Sequence, residues 1–61
     1  MTRKQIAALL VFLKEAGYQT DNARLLALNA NDPQLAARFA ALLDQIGYEI
    51  MQLEVLHQRA R

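Results

Sequence analysis

Glu54 and His57 come closer than any other residues in this chain to a catalytic or metal-binding pattern. A carboxylate and an imidazole three apart on a helix project from neighbouring positions, and carboxylate-bridged di-iron bundles use that spacing. Such a centre also needs carboxylates from other helices, aimed at the same point. The N-terminal helical run offers only Glu15, which points away from its own apolar stripe, and Asp44 and Glu49 stand off the main C-terminal stripe. One His and no Cys leave no thiolate and no second imidazole to complete a site. His57 instead suits a half-buried position at a helix C-terminus, where the dipole favours a cation.

Covalent catalysis fares no better. The chain has no Ser, and Thr2 and Thr20 stand near expected chain or helix ends, with no base beside them. There is no glycine-rich loop to cradle a phosphate, and a chain this short leaves little room for an enclosed ligand pocket. The expectation is a protein that is not an enzyme, with no catalytic residues, no metal site, no cofactor and no small-molecule substrate.

Seven basic residues against six acidic ones give a net charge of +1. That balance is too even to draw the chain to nucleic acid or an anionic membrane through bulk charge. A nucleic-acid-binding regulator is kept as the alternative reading. It would use Arg3, Lys4, Arg59 and Arg61 at the termini, and Arg24 early in the second member of a helix-turn-helix. Tyr18 and Tyr48 could stack on bases. More commonly such a Tyr packs its ring and keeps its hydroxyl wet.

The elements that position these groups are helices. Eleven Ala and eleven Leu favour helix strongly, and the scattered β-branched residues never alternate as a strand requires. In the N-terminal run, Ile6, Leu9, Leu10 and Leu13 share one stripe, and Phe12 widens it beside Leu9. A helix apolar on more than one side touches more than one neighbour. Arg3 and Lys4 oppose the dipole in the first turn, which predicts a frayed start. Gly17 followed by polar residues reads as a helix stop, with Thr20 or Asp21 capping a second helix. The first two helices are thus expected at about 3–16 and 21–29.

Asp32-Pro33 is the clearest helix start, an N-cap followed by proline at the first helical position. From there Leu35, Phe39, Leu42, Leu43, Ile46, Ile50, Leu53 and His57 hold one face, and the phase does not slip at Gly47. A continuous helix over about 33–59 follows. The competing reading takes the repeated Gly-Tyr at 17–18 and 47–48 as a duplication, giving four short helices in two helix-turn-helix units.

A rod of roughly 40 Å is too long for two short helices to cover. The expectation is therefore a single all-α domain over 1–61, forming a dimeric helical bundle. Leu42, Ile46, Ile50 and Leu53 would form its main packing seam, and Tyr48, Met51 and Val55 would meet a second surface. The functional class implied is a small interaction or regulatory protein acting as a homodimer and on another protein. The apolar run Ile6–Leu13 resembles a signal-peptide core, but it is short, charged residues follow at once, and no cleavage site appears. With Met1 at the start, the chain reads as a complete cytoplasmic protein with no membrane partner.

Overall fold

The computed structural model, which describes residues 1–60, is all-helical and shows two helices where three were expected. They are α1 (Arg3–Asn29) and α2 (Pro33–Arg59), each of 27 residues, joined by a tight turn and packed antiparallel. The hairpin measures 47 × 14 × 12 Å. Its radius of gyration is 14.1 Å. A compact globule of this length would be near 10 Å. No helix among the described residues is long and apolar enough to cross a membrane.

The expected break at Gly17 does not occur. No glycine in the chain has a positive φ, so Gly17 sits in ordinary helix rather than in the left-handed closing conformation. The two residues read as caps do other work. The Thr20 hydroxyl donates to the Ala16 carbonyl at 2.7 Å, a bond compatible with mid-helix. Asp21 accepts from Arg24 Nε at 2.9 Å, one turn on along the same helix. Helix α2 runs unbroken through Gly47, as its phase requires, which removes the four-helix alternative.

The start of α1 is capped rather than frayed. Thr2 Oγ1 accepts from the Gln5 amide at 3.1 Å, and Gln5 Oε1 accepts from the Thr2 amide at 2.8 Å. This reciprocal pair satisfies two donors that the first turn would otherwise leave bare. At the other end Asn31 takes φ 61°, the left-handed position that closes a helix. Asn31 N–H then donates to Leu28 O at 3.0 Å and Asp32 N–H to Ala27 O at 2.9 Å. Asp32 at once caps α2, its Oδ1 accepting from Leu35 N–H at 3.1 Å, with Pro33 next. Three residues thus end one helix and begin the next.

The seam between the helices follows a strict alternation of four- and three-residue steps. On α1 it runs Ile6, Leu10, Leu13, Gly17, Thr20, Arg24, Ala27; on α2 it runs Ala36, Phe39, Leu43, Ile46, Ile50, Leu53, His57, with Ala60 just past the helix end. All of these are buried or half-buried. Such spacing keeps one narrow stripe facing the partner helix over the whole length. Gly17 and Ile46 lie level, since a Cβ built on the glycine would stand 3.5 Å from Ile46 Cγ2. Stepping outward from that level, each α1 residue meets its counterpart on α2, which runs the other way. Thr20 faces Leu43, Arg24 faces Phe39, and Ala27 faces Ala36, the last two buried at 5% and 4% exposure. Small or slender α1 residues therefore receive large α2 residues in the loop half, and two alanines bring the backbones together at the turn.

Candidate protein interface

A two-helix ribbon has two flanks beside its seam, and here they differ in chemistry. Lys14 Nζ and Glu54 Oε1, 3.8 Å apart, bridge the helices along one flank. That flank also bears Lys4, Val11, Tyr18, Asp21 and Leu25 on α1 and Asp44 and Met51 on α2, so charge and apolar surface are mixed. The other flank carries Leu9, Phe12 and Leu26 on α1 and Leu35, Leu42 and Leu56 on α2. Shallow apolar hollows mark it, one lined by Leu9, Phe12 and Met1 and another by Leu26, Leu35 and Phe39. Phe12 and Leu26 are 69% and 70% exposed, and Leu42 and Leu56 about half.

The residues expected to form the main seam divide. Ile46, Ile50 and Leu53 are half-buried against α1 of their own chain, whereas Leu42 stands 52% exposed on the apolar flank. Tyr48, Met51 and Val55 are exposed, Tyr48 and Val55 on the back of α2 and Met51 on the charged flank. The apolar flank's Leu9, Phe12, Leu26, Leu35 and Leu56 were not anticipated as a surface. The signal for them was present, because each stands one turn-step away from a seam residue on the same side of its helix.

Glu54 and His57 do not converge. Glu54 reaches outward to Lys14, while His57 lies on the seam and its Nε2 accepts from Arg3 Nε–H at 3.4 Å. Among the described residues, no three His, Asp or Glu side chains gather as a metal would need.

The basic residues also divide. Folding back of the chain brings Arg3, Lys4 and Arg59 to one end, together with the amino terminus, and no Asp or Glu lies within residues 1–8 or 55–60. Arg24 sits at the opposite end, about 30 Å away along α1, and is paired to Asp21. Arg61 lies outside the described residues. The chain matches no known family, no curated protein and no solved structure.

Proposed function

We propose that this chain is a small helical interaction protein that works as a homodimer, one flank serving self-association and the rest of its surface engaging another protein. The observation behind this is the ratio of covered to uncovered apolar surface. Among the described residues four are buried, two of them alanine, while thirteen large apolar side chains are exposed. A soluble monomer seldom leaves that much apolar surface bare, and Leu9, Phe12, Leu26, Leu42 and Leu56 among the thirteen share one flank. A 61-residue chain without disulfides gains most by burying it against another chain. A two-fold pair is the commonest way to do so.

Sedimentation equilibrium across a hundredfold concentration range tests the reading. A mass twice that of the chain is expected at the upper end, with a thermal midpoint that rises with concentration. A single-chain mass throughout, with a flat midpoint, overturns it.

The nucleic-acid reading keeps one support, the cationic open end formed by Arg3, Lys4 and Arg59. Binding to random duplex DNA that weakens steeply with added salt would favour it. No binding at 50 mM salt would remove it.

A further inference from the structure

We infer that the apolar flank, uncharged along α1, seats a second copy of this chain with the two rods antiparallel, the two-fold axis crossing α1 at Gln19 and α2 between Leu42 and Gln45. This rests on the homodimer reading above and adds the face, the direction and the register.

Surface area supports a partner of this size. The chain exposes 4837 Å². A compact protein of 6.9 kDa would expose about 4,000 Å². The excess of about 800 Å² equals one partner's share of a standard protein interface.

Charge selects the flank. Along the apolar side of α1, from Thr2 through Gln5, Leu9, Phe12, Ala16, Gln19 and Ala23 to Leu26, there is no charged residue. Over both helices the opposite flank carries five charged residues, Lys4, Lys14, Asp21, Asp44 and Glu54, against three on this one, all of them on α2. Interface centres are depleted in charge, so the first flank is the one to bury.

Charge also selects the direction. Parallel rods would stack two open ends, each holding Arg3, Lys4, Arg59 and an amino terminus with no acidic residue nearby. Antiparallel rods place those ends at opposite extremes of a particle at least 47 Å long, well beyond the ~8–10 Å over which salt screens charge.

The register follows from what remains on α2. Its apolar flank has three charged residues, Arg38, Glu49 and Arg59. Neither Arg38 nor Glu49 has an ion-pair partner among the described residues. They have opposite sign and lie on the same side of one helix. An axis midway between them sets Arg38 of each copy beside the partner's Glu49, twice per dimer.

That axis falls level with Gln19 on α1. There Ala16 meets the partner's Ala23, and further out Phe12 meets the partner's Leu26. Small residues near the axis and large ones beyond it suit helices that cross at an angle and diverge. Gln19 gives one amide hydrogen to Glu15 at 3.0 Å. Its other N–H and its Oε1 remain to bond the partner's Gln19 reciprocally.

The test combines a cross-link with a charge exchange, each read beside the sedimentation mass and the helical signal. Gln19→Cys is expected to form a disulfide-linked dimer under mild oxidation, with Tyr18→Cys, on the other flank, forming it far more slowly. Arg38→Glu should raise the dimer dissociation constant about tenfold by setting like charges together at two symmetric sites. Adding Glu49→Arg should restore it to within about threefold, since the pair is re-formed with signs exchanged. All four variants alter exposed positions, so unchanged helicity is expected. A chain that stays monomeric throughout overturns the homodimer reading and this proposal together. A dimer in which Tyr18→Cys links faster overturns the flank alone, and a dimer without charge-exchange rescue overturns the register.

Discussion

Replacing Gly17 by alanine separates a continuous α1 from a helix that stops there. Gly17 is helical, half-buried on the seam, and a Cβ at this position would sit 3.5 Å from Ile46 Cγ2, an ordinary van der Waals separation. Alanine in mid-helix is favoured over glycine by about 0.8–1 kcal/mol, because the unfolded chain loses freedom and the helix gains shielding. A methyl group fully removed from water adds about 0.8 kcal/mol, and at a half-buried site about half of that. The expected gain is therefore about 1.2–1.4 kcal/mol per chain, or roughly 5–10 °C in thermal midpoint. Gly47 provides the internal control. It lies on the exposed side of α2 with nothing within 4 Å of a built Cβ, so only the propensity term applies and about 1 kcal/mol is expected. Urea unfolding followed by far-ultraviolet circular dichroism, at one fixed chain concentration, reads both differences. The slope with denaturant should stay constant, since neither change alters the surface exposed on unfolding. If Gly17→Ala loses more than about 1 kcal/mol while Gly47→Ala gains, the backbone at 17 holds a left-handed angle and the long α1 is refuted.

Two further substitutions examine the turn and the seam. Asn31 holds φ 61°, which glycine adopts without cost and alanine does not. Asn31→Ala should lower stability by about 1 kcal/mol while Asn31→Gly stays near neutral in the same urea experiment; equal effects would mean the turn does not depend on the left-handed residue. Ala36 is 4% exposed and level with Ala27, which is 5% exposed. Ala36→Leu should therefore force the helices apart near the turn and cost about 1–3 kcal/mol, and a gain in melting temperature would show that the helices are not in close approach there.

The two glycines show why half of the fold was legible in the sequence and half was not. Around Gly47 the seam is written in large apolar residues on both sides, Leu43 and Ile46 before it and Ile50 and Leu53 after, so continuity of phase could be read directly. Around Gly17 the same four-three stepping continues, but through Gly17, Thr20, Arg24 and Ala27, none of which announces a buried face. Thr20 and Asp21 supplied a plausible cap, and Gly17 a plausible stop. What reconciles them with a helix is on the other helix of the hairpin: Ile46, Leu43 and Phe39 are large, and they occupy the space that small or slender α1 residues leave. Complementarity of size across two helices is invisible to any reading that takes one helix at a time. The same holds for the surface. Phe12 beside Leu9 signalled that α1 was apolar on more than one side, but which side faced outward depended on knowing that the seam uses Leu10 and Leu13. Once the seam is fixed, Leu9 and Phe12 fall on the same flank as Leu26, Leu35, Leu42 and Leu56. A set of residues scattered along the sequence becomes one strip only because both helices run the full length of the rod.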